Sequence, residues 1–233
     1  MPRQRLLLKA ASVKPKQMPT LAEEMALYAQ GYCLVAGLDE AGRGCLAGPV
    51  LAAAVLIRLS DGVSTILSHF AGVQDSKQLT PLARKRLYDV VMQRALAVGV
   101  GMGSVELIDE RNILYATKHA MCSALSQLSL APQALLLDAL LLHNVALPQR
   151  SIIKGDVHCL SIAAASVIAK VTRDRLMLQL HEQYPAYGFA QHKGYGTAAH
   201  LAALQRYGVT PHHRKSFAPV HELLSHVVNK SKN

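Results

Sequence analysis

The order of apolar segments in this chain predicts an α/β fold: a mixed central sheet flanked by helices, with a C-terminal helical subdomain. Three observations predict it. Two strand-length apolar runs, 33–38 and 49–57, come early with only a glycine-rich loop between them. From there on, strand-length runs alternate with helical patterns. Apolar residues make up 51% of the 233, enough to bury one large core.

Lys14-Pro15-Lys16 and Met18-Pro19 break regular structure, so residues 1–30 read as a basic N-terminal extension. It carries one short helix, Leu21 to Ala29, behind a Thr20 cap. Cys33 to Leu38 and Pro49 to Ile57 are the first two strands. After a loop, Thr80 caps a helix that Pro81 opens and that runs to about Gln93. Ala95 to Ser104 is a third strand, and Glu106 to Leu128 reads as a single long amphipathic helix. Ala134 to Leu137 is a buried strand ending on Asp138, and Ser151 to Lys154 is a short one. An alanine-rich helix then spans Leu160 to about Gln183, and its small side chains let it approach the sheet closely. Two helical pieces, about 197–207 and 219–228, close the chain. The main domain is thus 31–190, and 191–233 is a C-terminal helical segment.

Lysine and arginine total 25 against 15 acids, a formal charge of +10, which favours polyanionic partners through phosphate contacts and counterion release. The cysteines (Cys33, Cys45, Cys122, Cys159) form no CxxC pair, which disfavours structural zinc and fits reduced thiols in the cytoplasm. The N-terminal stretch has only a three-leucine run, too short for a secretion signal, and no stretch is long enough to span a membrane.

The chemistry concentrates at 37–44, GLDEAGRG. Asp39 and Glu40 sit at the end of an apolar strand, followed by an arginine framed by Gly42 and Gly44. Glycines let a backbone approach a ligand, and Arg43 offers a planar fork suited to phosphate. Both acids can serve one site only if the strand ends or bulges there, which Ala41-Gly42 would permit. Asp138 and Asp156 each follow a strand. Alone, either would be a turn former or a helix cap. Together with Asp39 they stand at strand ends of one sheet, where open α/β sheets present their sites. Crowded carboxylates repel, and Mg²⁺ or Mn²⁺ relieves that repulsion through oxygen ligands. His212 and His213, in a basic C-terminal loop, are expected at the surface.

On these residues the chain resembles type 2 ribonuclease H (ribonuclease HII). The resemblance rests on eight segments in order: GLDEAGRG at 37–44, GPVLAAAV at 48–55, DSKQLT at 75–80, LLLDA at 135–139, KGD at 154–156, SIAAASVIAKVTRD at 161–174, HKGYGTAAH at 192–200 and HRKSFAPV at 213–220. It implies a ribonuclease H-like fold over 31–190, with the C-terminal segment completing a substrate groove. It implies that Asp39, Glu40, Asp138 and Asp156 are catalytic and hold two divalent cations, Mg²⁺ or Mn²⁺. Gly42, Arg43 and Gly44 would sense a ribose 2′-hydroxyl, Tyr195 would stack on the sugar beyond the scissile phosphate, and Lys77 would contact backbone phosphate. Ser166 could also touch the substrate. The implied partners are an RNA–DNA hybrid or duplex DNA with embedded ribonucleotides, cut by a monomer to leave 5′-phosphate and 3′-hydroxyl. One departure stands out: Ala139 occupies a position where the family commonly has glycine. Two rival readings, a catalytically silent nucleic-acid binder and a resolvase-like nuclease, fit the intact acids and the Gly-Arg-Gly loop less well.

Overall fold

The computed structural model describes residues 18–230, with side chains to residue 225, so the break expected at Lys14-Pro15-Lys16 lies outside the described residues. Helix α1 (Ala22–Tyr28) precedes strands β1 (Leu34–Ala41) and β2 (Val50–Arg58). Helices α2 (Val63–His69) and α3 (Pro81–Arg94) lead to β3 (Ala97–Gly103). Then come α4 (Val105–Arg111), α5 (Ile113–Ser126), β4 (Ala134–Asp138) and β5 (Gln149–Ile152). Short helix α6 (Gly155–His158) turns into the long α7 (Leu160–Gln183), and α8 (Phe189–His192), α9 (Ala198–Tyr207) and α10 (Ala218–Lys230) follow. The sheet order is β3-β2-β1-β4-β5. The first three strands are antiparallel and the β1–β4 and β4–β5 pairs are parallel, which is the mixed sheet expected.

Four local expectations change. The helix expected over 106–128 is two helices, because Asn112 adopts φ 76° and restarts the chain as the cap of α5, its side-chain oxygen accepting from Tyr115 N–H at 3.0 Å. Asparagine takes a positive φ more readily than most residues. The segment after β2, expected as loop, contains α2. The short strand lies two residues earlier than expected, at Gln149–Ile152. His213, expected at the surface, is fully buried.

Alternation along the strands decides which side chains meet which helix. Val35, Ala53, Val55, Ala134 and Leu136 pack with α7 and α3 on one face, whereas Ala36, Leu38, Ala54, Leu135 and Leu137 pack with α5 on the other. Both helices lie unusually close to the sheet. A methyl group on Gly37 would sit 2.2 Å from the carbonyl carbon of Ser161 in α7, and one on Gly101 would sit 2.1 Å from the carbonyl oxygen of Ala120 in α5. The small residues at 163–166 let α7 lie flat against the strands, as expected.

Helix α1 docks behind the α6–α7 junction. Thr20 N–H donates to His158 O at 2.9 Å and Leu160 N–H donates to Thr20 O at 3.0 Å. The buried Glu24 carboxylate accepts from Ser161 N–H at 2.9 Å and from Ser161 Oγ at 2.8 Å, so it caps α7 from outside. Because backbone faces backbone at Gly37, Gly37→Ala is expected to cost about 3 kcal/mol in denaturant unfolding. A loss below about 1 kcal/mol would mean that α7 can withdraw from β1 freely.

Candidate active site

In the parallel β1–β4 pair Leu38 lies opposite Leu137, so Asp39 and Asp138 are the next neighbours at the strand ends. By alternation both share the α7 face with Val35 and Leu136. Asp156, in the first turn of α6, comes up to that face from the loop before α7. One carboxylate oxygen from each of Asp39, Asp138 and Asp156 lies within 4.8 Å of the others. The fourth acid stands to one side. β1 keeps its regular pairing past the site, Glu40 opposite Ala52 and Ala41 opposite Leu51, so the strand neither ends nor bulges at Glu40 as expected. Glu40 therefore leaves on the other face, where Oε1 pairs with Arg43 Nη1 at 3.1 Å, and it lines the same cleft as Asp39 and Asp138.

Each acid is held separately. Glu40 N–H donates to Asp39 Oδ1 at 2.7 Å, and Gly155 N–H donates to Asp138 Oδ1 at 2.8 Å. Lys77 Nζ donates to Asp156 Oδ2 at 2.9 Å, so its ammonium, expected to face a phosphate, reaches a carboxylate while its side chain stays 71% exposed. Asp39 Oδ2 and Glu40 Oε2 are buried without any partner. Burial, then the charges of Glu40 and Asp138, holds the Asp39 carboxyl well above the usual carboxylate range. Burial likewise raises Glu40, against the pull of Arg43, and raises Asp138, where Asp156 adds to the effect. An all-oxygen donor set with two orphaned buried oxygens fits a hard divalent cation.

The cleft, about 170 Å³, is lined by the acids Asp39, Glu40 and Asp138, the loop Gly42-Arg43-Gly44, and Ser76, Lys77, Lys170 and Tyr195. Gly42 has φ 94° and a methyl there would meet Arg173 Nε at 1.9 Å, whereas Gly44 faces open space. Tyr195 is 44% exposed at the cleft wall. Lys170, not singled out from the sequence, sits with its Nζ 5.9 Å from the Tyr195 ring centre and 2.7 Å from Asp174 Oδ1. Its one sequence signal is the i,i+4 spacing to Asp174 on α7. Ser166 is buried and bonded to Ser76 Oγ at 2.7 Å, so it ties the 75–80 loop to α7.

Among the described residues four non-glycine residues have positive φ, and three of them lie within two positions of a site residue in the chain: Ala139 (50°) after Asp138, Lys154 (56°) before Asp156 and Lys193 (51°) before Tyr195. Ala139 follows Asp138 directly, which accounts for glycine being natural there. The left-handed conformation costs an alanine about 1 kcal/mol. Ala139→Gly is therefore expected to raise Tm by about 2–4 °C with the carboxylates undisturbed; calorimetry showing a lower Tm would refute the strain.

The acids also fix the sign of a pH effect. A carboxyl whose folded pKa is raised binds more protons folded than unfolded, so this contribution to stability is lost as pH climbs through the raised value. For the metal-free protein, Asp39→Asn removes one repelling charge and is expected to raise Tm at about pH 8 by about 3 °C. The same substitution should abolish the rise in Tm that Mn²⁺ gives the parent chain. A variant that still responds to Mn²⁺ would remove Asp39 from the ligand set.

Comparison with known proteins converges on one family. The family model described as Ribonuclease HII matches residues 36–220. A curated ribonuclease HII of Geobacillus thermodenitrificans is 54% identical over 201 residues, 86% of this chain and 74% of that protein. That of Chloroflexus aurantiacus is 53% identical over 207 residues, 89% and 97% of the two chains. Among solved structures, ribonuclease H2 from Pyrococcus horikoshii superposes with a TM-score of 0.67 at 27% identity, covering 82% of this chain and 96% of the other. The mixed sheet with its flanking helices is the ribonuclease H-like fold of these structures, and the chain belongs to the ribonuclease HII family.

Proposed function

We propose that this protein is a metal-dependent endonuclease that hydrolyses the RNA strand of RNA–DNA hybrids. In the same reading it cuts on the 5′ side of ribonucleotides embedded in duplex DNA, in the service of removing them. The observation that carries this is the placement of three converging carboxylates, with partnerless buried oxygens on Asp39 and its neighbour Glu40, against the Gly42-Arg43-Gly44 loop. Family membership supports it.

Asp39, Asp138 and Asp156, with Glu40 alongside, would hold the Mg²⁺ or Mn²⁺ ions. Bound there, two divalent ions would supply an activated water and stabilise charge on the leaving 3′ oxygen. The rest falls to the chain. Arg43, 42% exposed and anchored on Glu40, orients the strand phosphate beside the acids. The open side of Gly44 lets a ribose come against the backbone, where loop groups can bond its 2′-hydroxyl, the group that separates RNA from DNA. Tyr195, 44% exposed, would stack on the neighbouring sugar, with Lys170 beside it to neutralise phosphate. Lys77 holds Asp156 until the site is loaded, and its long exposed stem lets it turn to a phosphate afterwards. The +10 charge adds a general pull on the duplex. No helix among the described residues is long and apolar enough to cross a membrane. We place the protein in the cytoplasm, as a monomer, with its four cysteines free.

The deciding experiment uses a labelled DNA duplex containing one ribonucleotide, with an all-DNA duplex, an EDTA sample and a long hybrid beside it. A single metal-dependent cut 5′ to the ribonucleotide is expected, and Asp138→Asn should lower its rate by about a hundredfold or more. No cleavage of either ribonucleotide-containing substrate would refute the reading. Undiminished turnover by Asp138→Asn would remove that residue from the centre.

A further inference from the structure

Two arginines, Arg173 and Arg214, are the largest fully buried side chains among the described residues, at 1% and 0% exposure. Neither forms an ion pair among the described residues. Burying a guanidinium without a carboxylate is expensive unless its donors are filled by other groups. Here backbone carbonyls fill them. Arg214 donates from Nη2 to Gly42 O at 2.7 Å and from Nη1 to Arg43 O at 2.7 Å. It also holds Gly48 O from Nε at 2.9 Å and from Nη2 at 2.8 Å. Arg173 donates to Ala47 O at 3.0 Å, to Pro49 O at 3.0 Å and to Lys193 O at 2.8 Å. One side chain thus grips the Gly-Arg-Gly loop, and the other joins the segment after it to the segment that carries Tyr195.

A second link reaches Tyr195 through two histidines. Thr210 N–H donates to His213 Nδ1 at 2.9 Å, and an amide can only donate, so that nitrogen bears no proton. The His213 proton is then on Nε2, which lies 3.0 Å from His200 Nε2 and donates to it. His200 must in turn carry its proton on Nδ1, which donates to Tyr195 O at 2.9 Å. Burial keeps both rings neutral, lowering His200 and pushing His213 down to about 4. His213 is the neighbour of Arg214, whose N–H donates to Leu46 O at 2.8 Å, while Leu46 N–H donates to Gly194 O at 2.8 Å.

We propose that Arg173, Arg214 and the His200–His213 pair form one frame that fixes the Gly42-Arg43-Gly44 loop and Tyr195 relative to each other, and that as positioning residues they set the preference for ribose over deoxyribose. The proposal rests on the reading of the site as a ribonucleotide-directed nuclease. It separates two tasks within the cleft. None of these four residues donates to Asp39, Glu40, Asp138 or Asp156, and the three converging acids, Asp39, Asp138 and Asp156, are held by β1, β4, Gly155 and Lys77 without the loop. Loosening the frame should therefore spoil recognition and leave metal binding intact. Arginine is required at 214 because its planar fork spans three carbonyls, and the single ammonium of a lysine cannot.

The test compares the parent chain with Arg214→Lys and Arg173→Lys, lysine being chosen to keep the charge and the fold. Binding to a one-ribonucleotide duplex and to its all-DNA counterpart is measured in Ca²⁺ to suppress cutting, alongside the Mn²⁺-induced rise in Tm and the cleavage rate in Mg²⁺. The expected result is that the parent's preference for the ribonucleotide duplex falls at least fivefold in Arg214→Lys. The cleavage rate should drop by about tenfold or more, as for a group displaced by a fraction of an ångström. All-DNA affinity and the Mn²⁺ response should stay within twofold of the parent. An Arg214→Lys protein with full preference and rate overturns the proposal, as does a parallel loss of the Mn²⁺ response, which would mark a general structural role. If Arg214→Lys does not fold, Arg173→Lys decides by the same readouts. A parent that neither prefers nor cuts the ribonucleotide duplex refutes the nuclease reading instead, so the two failures are distinct.

Discussion

Everything at the cleft depends on how closely α7 can lie against β1. The parallel β1–β4 register sets Asp39 beside Asp138, but a third carboxylate can join them only if the chain returns to the same face within bonding range of those strand ends. Gly37 and the alanine-serine run of α7 permit that return, since Gly37 has no Cβ and the helix run presents nothing larger than a methyl or hydroxymethyl group. Hydrophobic burial on the α7 face then opposes the repulsion of the acids it brings together. Glu24, reaching in from α1, stabilises the helix end that this crowding would otherwise unsettle. The site is thus a local instability carried by a large, well-packed face.

Much of this could be read from the sequence. Strand-length apolar runs ending on aspartates gave the sheet and three of the acids, and the glycine-framed arginine marked the loop. Regular alternation also implies the outcome for Glu40: the strand is intact and Glu40 faces the other way, so Asp39 and Glu40 need no broken strand to line one cleft. The break at Asn112 was hidden because apolar periodicity continues across it, and only a backbone angle reveals it. The placement of His213 and Arg214 was illegible for a different reason. A run of polar residues such as HHRKS reads as solvated, and only contacts with residues about 170 positions earlier show it to be core.

The buried charges divide into two kinds, each satisfied in its own way. The acids keep oxygens without partners, so their cluster is under-bonded and open to a cation. The arginines have a carbonyl partner at every guanidinium nitrogen, although burial still lowers Arg214 to about 10. The first arrangement awaits a ligand; the second gives rigidity. A cleft made of both can take up an ion without letting its Gly42-Arg43-Gly44 loop shift.

The bond from Arg214 to Gly42 spans 172 positions of sequence, and this affects the order in which the molecule matures. The N-terminal half of the sheet forms early, β1 with β2 through a short hairpin and β3 after the α2–α3 segment, whereas the loop beside the acids lacks its brace until Arg214 has been made. During synthesis from the N-terminus, the acids can therefore be in place before the loop is fixed. A nascent chain cut short before Arg214 would thus keep the acidic cluster without the frame that orders the Gly42-Arg43-Gly44 loop.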